Sequence, residues 1–238
     1  ASFLMSSCLA INEVTVFQKI LLMALNTRSP DKPIGDSTLQ ETAFAQAIII
    51  ERNLSAKVIE YLNMIGDYKK KCGRKRETKM QFFLERIDDV TAKLRNGENY
   101  KLALWYRNTV TNHYLISELE PLIRNGDLGG DDTAHTIYLH EKDGNSSYLL
   151  GEQLLLAKLT EDVGSAVDRM EGFSEWVLEA SAMAMKLHHE FCIQLLEIYL
   201  PQKQAQEYSI TPEPHLVGQL KETCLPVLWD FQCLDGFG

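Results

Sequence analysis

Residues 37–65 read STLQETAFAQAIIIERNLSAKVIEYLNMI, and their apolar side chains recur at spacings of three or four. This period places those side chains on one face of an α-helix, so the segment predicts a long helix that buries that face. Asp36 and Ser37 precede Leu39, the first large apolar residue of this pattern, and their side chains commonly start a helix. We expect this helix to run to about Tyr68.

Four more helices are predicted from the same apolar period, over residues 3–25, 77–94, 99–123 and about 152–200. Asn96 and Gly97 form a C-terminal stop for the third helix of the chain. Gly164 and Gly172 are positions where the last helix could bend or break, because glycine disfavours helical backbone.

The apolar period changes between residues 135 and 150, where two β-prone runs flank Asp143 and Gly144. An Asp-Gly pair between such runs predicts a β-hairpin. After Pro201 the composition shifts to Gln, Glu and Pro, so residues 201–238 are predicted to be an irregular tail packed on the domain. The predicted fold is all-α: residues 1–200 form an up-and-down bundle of four to five long helices with a small β-hairpin insertion.

The chain has 238 residues, of which 45% are hydrophobic and 24% are charged, a composition typical of a globular protein. The net charge of -9 does not favour RNA binding, because RNA-binding proteins usually contact the phosphates with Lys and Arg side chains. A local basic surface is therefore needed, and one candidate exists in Lys69, Lys70, Lys71, Arg74, Lys75 and Arg76. This run is interpreted either as a solvated connection between two helices or as a guide for a phosphate backbone.

No membrane span or secretory leader is expected, because Glu13 and Lys19 interrupt the only apolar N-terminal candidate. A cytoplasmic location follows as the expectation. The five cysteines show no C-x-x-C spacing, which favours reduced thiols over a zinc site or a disulfide framework. His188 and Cys192, four positions apart, could share a metal, but without a second ligand pair they are interpreted as packing residues. Neither a metal nor another cofactor is expected.

Residues 105–114, Trp-Tyr-Arg-Asn-Thr-Val-Thr-Asn-His-Tyr, are the segment most suggestive of chemistry. Arg107 supplies a permanent forked cation for phosphate, and an unperturbed histidine such as His113 titrates near neutrality. On a regular helix, positions six apart differ by about 120° around the axis and about 9 Å along it. The two groups can therefore act on one phosphate if the helix is distorted or if two copies meet across a twofold axis, as in a homodimer.

The segment resembles the signature of the HEPN superfamily, in which an arginine and a polar residue are followed, after a short gap, by a histidine. Arg107, Asn108 and His113 occupy these three positions. The helices that precede the motif also resemble the helical bundle of that superfamily. In one branch a tyrosine follows the histidine by two positions, whereas here Leu115 occupies that place and Tyr114 adjoins His113, so Tyr114 is assigned no role.

The resemblance implies a metal-independent endoribonuclease that acts as a toxin or phage-defence effector, with RNA as substrate and an antitoxin as partner. Arg107 would stabilise charge on the phosphate, His113 would act as general base or acid, and Asn108 would orient the phosphate or the histidine by hydrogen bonding. The alternative is a catalytically inactive helical protein that binds another protein or a nucleotide.

Overall fold

The computed structural model describes residues 2–27, 34–75, 81–111, 120, 137–138, 147–149, 151–152, 155, 166–199 and 223–228. Across these ranges the chain is all-α, as predicted from the apolar period. The helices are α1 (Ser2–Thr27), α2 (Ser37–Lys75), α3 (Gln81–Leu94), α4 (Glu98–Tyr106) and α5 (Ala166–Tyr199). Residues Arg107–Thr111 follow α4 directly as a π-helical turn.

Two short strands lie in the region where the sequence predicts a hairpin. They are β1 (Ile137–Tyr138) and β2 (Ser147–Tyr148), which pair antiparallel with Ile137 opposite Tyr148. The predicted turn at Asp143 and Gly144 falls outside the described residues.

Helix α2 is longer than predicted, since it ends at Lys75 and not near Tyr68. Its apolar stripe continues beyond Ile65, because the ring of Tyr68 stacks on Phe3 at 3.9 Å between centroids and Cys72 is only 3% exposed. Lysine and arginine are also good helix formers, so a basic run does not end a helix. The interpretation of this run as a connection between helices is therefore wrong for residues 69–75.

The predicted stop after the third helix of the chain is confirmed. Helix α3 ends at Leu94, and the backbone at Gly97 has φ 96°, a conformation that L side chains rarely adopt. Gly172, in contrast, lies inside continuous α5 and does not break it. Its carbonyl accepts a hydrogen bond of 2.9 Å from Asn99 Nδ2, which ties α5 to α4.

The chain divides into two compact units. Unit 1 comprises Ala1–Lys19, Arg52–His113 and Gly172–Gly218, and unit 2 comprises Ile20–Glu51, Tyr114–Glu171 and Gln219–Gly238. The core of unit 1 includes an aromatic group in which Phe83 of α3 and Phe191 of α5 lie 4.4 Å apart between ring centroids. Both rings are 1% exposed. Further along α5, Phe173 packs against Tyr106 of α4 at 5.7 Å.

In unit 2 the described part of the C-terminal region, residues 223–228, contacts the end of α1. Asn26 Nδ2 donates to the Thr223 carbonyl at 2.9 Å, and Thr27 Oγ1 donates to the Leu225 carbonyl at 2.8 Å. The Leu225 amide donates in turn to the carbonyl of Met23 at 3.2 Å. These bonds hold residues 223–225 against the last turns of α1.

Among the described helices, α1 is long and apolar enough to cross a membrane by length and composition. Its span Phe3–Thr27 has a mean hydropathy of 1.6, and 22% of the apolar window is buried within the protein. Core helices of soluble proteins and signal sequences share these properties. The exposed apolar residues of α1 include Met5, Leu9 and Val16.

Candidate functional site

Arg107 lies where α4 changes from an α-helix to a π-helical turn that spans Arg107–Thr111. Within that turn Thr109 and Val110 are buried, whereas Asn108 is exposed. A π-helical turn widens a helix locally and occurs frequently at functional sites. A distorted helix, one of the two arrangements that the Arg–His spacing allows, is therefore present over Arg107–Thr111.

The Arg107 guanidinium has an amide and a carboxylate as neighbours. Its Nη1 donates to Asn108 Oδ1 at 3.0 Å, and its Nε lies 4.0 Å from Glu60 Oε1 on α2. Among the described residues, Nε has no hydrogen-bond partner. The Arg107 side chain is 29% exposed, so part of the cation is accessible to an anion from solvent.

Glu60 is shared between two cations. Lys57 Nζ lies 3.4 Å from Glu60 Oε2 and 2.8 Å from Glu13 Oε2 on α1. The hydrogen bond with Glu13 raises the pKa of Lys57, burial opposes this increase, and the charge of Glu60 adds to it. Because Lys57 lies closer to Glu60 than Arg107 does, Arg107 is the less tightly paired of the two cations.

The structure brings two of the three predicted catalytic residues together. Arg107 and Asn108 are in direct contact. His113 lies outside the described residues, as do Tyr114 and Leu115. The role of His113 in proton transfer therefore stays a prediction.

The predicted RNA-binding cations lie on and beyond the last turns of α2. Lys69 pairs with Asp88 of α3, Lys70 Nζ lies 3.1 Å from Asp67 Oδ1, and Lys71 is exposed. The side chains of Arg74, Lys75 and Arg76 lie outside the described residues. Exposed ion pairs contribute little to stability, so Lys69 and Lys70 can exchange their carboxylates for phosphates at low energetic cost.

A second group of chemically active side chains lies elsewhere in unit 1, where α1 meets α5. Cys8 Sγ is 3.7 Å from His188 Nε2, and Cys192 Sγ is 3.4 Å from the same nitrogen. The three potential ligand atoms all lie within 4.8 Å of one another. His188 is 9% exposed, and both cysteines are half-buried.

Burial favours the uncharged forms of two members of this group, His188 and Cys192. It lowers the pKa of His188, and the charge of neighbouring His189 lowers it further. It also raises the pKa of Cys192, with an additional contribution from Cys8. Burial also raises the pKa of the neighbouring Tyr61, and the charge of Cys192 raises it further. Both shifts favour the uncharged forms, a neutral imidazole at His188 and a thiol at Cys192.

Sequence reasoning identified two members of this group and missed the third. His188 and Cys192 are four positions apart in the sequence, and this spacing places them on one face of α5. Cys8 is 180 positions away from His188 and reaches it only because α1 packs against α5. No local spacing rule could have linked them.

Comparison of the chain with protein-family models, with curated proteins and with solved structures found no match. The function must therefore be argued from the residues of the two sites.

Proposed function

We propose that this protein is a metal-independent endoribonuclease of HEPN-like type, a cytoplasmic toxin or phage-defence effector that acts as a homodimer. In this proposal residues 1–200 form an up-and-down bundle with a hairpin at about 135–150, and residues 201–238 pack on it. Arg107, Asn108 and His113 form the catalytic group, the basic residues of 69–76 guide RNA, and an antitoxin is the protein partner.

The observation that carries the proposal is the π-helical turn that begins at Arg107. A widened turn forgoes the regular hydrogen-bond pattern, and such local departures cluster at functional sites. Here the departure coincides with a partly exposed guanidinium held by its neighbouring amide at 3.0 Å. A purely structural arginine needs neither feature.

The proposed reaction is transfer of the RNA phosphodiester to its own ribose. His113 removes the proton from the 2'-hydroxyl, and that oxygen attacks phosphorus. The bond from phosphorus to the 5'-oxygen then breaks, and this oxygen takes up a proton from water to leave as a hydroxyl. Arg107 stabilises the negative charge that builds on the non-bridging oxygens, and Asn108 holds the guanidinium in place. The products are a 2',3'-cyclic phosphate end and a 5'-hydroxyl end.

The homodimer follows from the position of the two groups on one helix. If two antiparallel copies meet across a twofold axis, Arg107 of one chain lies near His113 of the other. The π-helical turn changes the angular offset between residues along Arg107–Thr111. A monodisperse monomer that retains full activity would remove the dimer from the proposal.

The experiment that tests the proposed function compares two substrates in the presence of EDTA. The full chain is incubated with a random-sequence RNA pool and with a fully 2'-O-methylated copy of that pool, and circular dichroism in the same buffer monitors the fold. We expect cleavage of the RNA to 2',3'-cyclic phosphate ends and an intact methylated copy, because the methyl group removes the nucleophile. A folded protein that cleaves neither substrate contradicts the proposal.

The alternative, a catalytically inactive helical interaction or nucleotide-binding protein, is favoured by a different observation. Arg107 has Glu60 4.0 Å away, and Lys69 and Lys70 each pair with a carboxylate. Cations that are paired with carboxylates in this way can stabilise the fold, and they need no substrate to do so. Absence of cleavage in the two-substrate experiment would support this alternative.

Replacing Glu60 by glutamine separates the two functions. In the ribonuclease, Glu60 competes with phosphate for Arg107, so Glu60→Gln should tighten RNA binding by about 1.4–5-fold, equivalent to the roughly 0.2–1 kcal/mol of an exposed ion pair. Binding is measured by fluorescence anisotropy at low salt. Glu179→Gln is the matched control, since it removes the same charge from a different ion pair, the one with Lys93 of α3. Equal effects of both substitutions would show only a change of net charge.

A further inference from the structure

We propose that Cys8, His188 and Cys192 form a zinc site that joins α1 to α5. The proposal goes beyond RNA cleavage, which needs no metal, and depends on a separate group of side chains. Three protein ligands of the Cys₂His type leave one position of a tetrahedral zinc ion for water.

The distances between the ligand atoms fit such an ion. Zinc bonds of about 2.3 Å to sulfur and about 2.0–2.1 Å to nitrogen, at tetrahedral angles, separate sulfur from nitrogen by about 3.6 Å. The observed separations from His188 Nε2 are 3.7 Å to Cys8 Sγ and 3.4 Å to Cys192 Sγ. An ion can therefore be placed between the three atoms with little movement of the helices.

The direction of the His188 ring supports the same conclusion. Its Nε2 faces both sulfurs, whereas its buried Nδ1 has no hydrogen-bond partner among the described residues. The polar contacts of the ring are thus concentrated at one nitrogen, the one that would hold the metal. On the adjoining side, Tyr61 meets the His188 ring edge to face at 6.3 Å and is itself 1% exposed. This contact fixes the ring orientation.

The chemistry of the ligands selects the class of metal. Two thiolates and an imidazole are soft to borderline donors, which suit zinc and not magnesium or calcium. Two thiolates also neutralise a divalent ion, so the occupied site carries no net charge into a partly buried position. The half-exposed cysteines leave a route by which the ion and the fourth ligand can reach the site.

Two other uses of the group are weaker. As packing residues, two thiols would make only weak hydrogen bonds to one imidazole nitrogen. As a disulfide, Cys8 and Cys192 would leave Nε2 of His188 with no thiol hydrogen to accept. Zinc is the occupant that uses all three atoms at once.

The test is a titration of the reduced full chain with Zn²⁺ in competition with a chromogenic chelator, followed by Co²⁺ substitution. We expect one ion per chain, and a cobalt spectrum with sulfur-to-metal charge transfer. Cys8→Ser, Cys192→Ser and His188→Asn should each weaken binding by more than about 100-fold, beyond the 10–100-fold typical of residues outside the coordination sphere. His189→Asn and Cys224→Ser are matched controls on an adjacent histidine and on a half-buried cysteine that is not part of the cluster, and should bind as the wild type does.

The wild-type result keeps the proposal testable even if a variant misfolds. Less than one ion bound to the reduced, folded wild type would overturn the zinc site. So would equal binding by His188→Asn and His189→Asn in proteins with the same helical content. Neither result affects the ribonuclease, whose test is carried out in EDTA.

Discussion

Replacing Phe83 by alanine is expected to lower the free energy of unfolding by about 3–5 kcal/mol. Phe83 is 1% exposed and its ring lies 4.4 Å from that of Phe191 and 6.5 Å from that of Tyr68, between ring centroids. The substitution leaves a cavity where α2, α3 and α5 meet within unit 1. Since whole domains are stable by about 5–15 kcal/mol, a loss of this size removes much of the total.

The adjacent Phe82 is the control for this prediction. It is 63% exposed, so Phe82→Ala should change the free energy of unfolding by no more than about 0.5 kcal/mol. Urea unfolding followed by circular dichroism measures both variants. Similar losses for the two would show that α3 does not present the face described here to the core.

Replacing Arg107 or His113 by alanine is expected to lower the rate of RNA cleavage by about 10²–10⁴-fold. In the proposed ribonuclease, Arg107→Ala would remove the cation that stabilises the phosphate charge, and His113→Ala would remove the proton-transfer group. Single-turnover cleavage in EDTA measures the loss. Circular dichroism of each variant separates this loss from unfolding.

Arg86→Ala provides the matched control for Arg107→Ala. The Arg86 side chain is 34% exposed and pairs with Glu190 at 3.2 Å, an environment close to that of Arg107 in exposure and charge. It lies on α3, outside the proposed catalytic segment. A comparable loss of cleavage in Arg86→Ala would mean that the effect arises from net charge or stability.

The sequence predicts the helices well because their apolar residues pack on one face. Ile87, Val90 and Leu94 illustrate this in α3, where each is 2% exposed or less. The end of α2 was missed because six nearby cations suggested a loop, whereas the buried Cys72 and the stacked Tyr68 extend the helix through them. Burial of a few side chains outweighs the polarity of their neighbours.

The two sites differ in how far local pattern can reveal them. Arg107 and Asn108 adjoin in sequence, so their pairing could be anticipated, but the π-helical turn could not. That turn depends on tertiary packing, since Thr109 and Val110 are buried within it. Cys8 is beyond local reasoning altogether, because its approach to His188 depends on how two helices far apart in sequence pack.

The most direct test of the shared site mixes the two inactive variants. Arg107→Ala and His113→Ala chains are co-expressed with different affinity tags, and heterodimers are purified through both tags. A composite site in a homodimer predicts about half of the wild-type rate in EDTA, because one of the two sites then has both residues intact. Heterodimers as inactive as either variant alone would contradict a site shared between subunits, and variants as active as the wild type would contradict the catalytic role of Arg107 and His113.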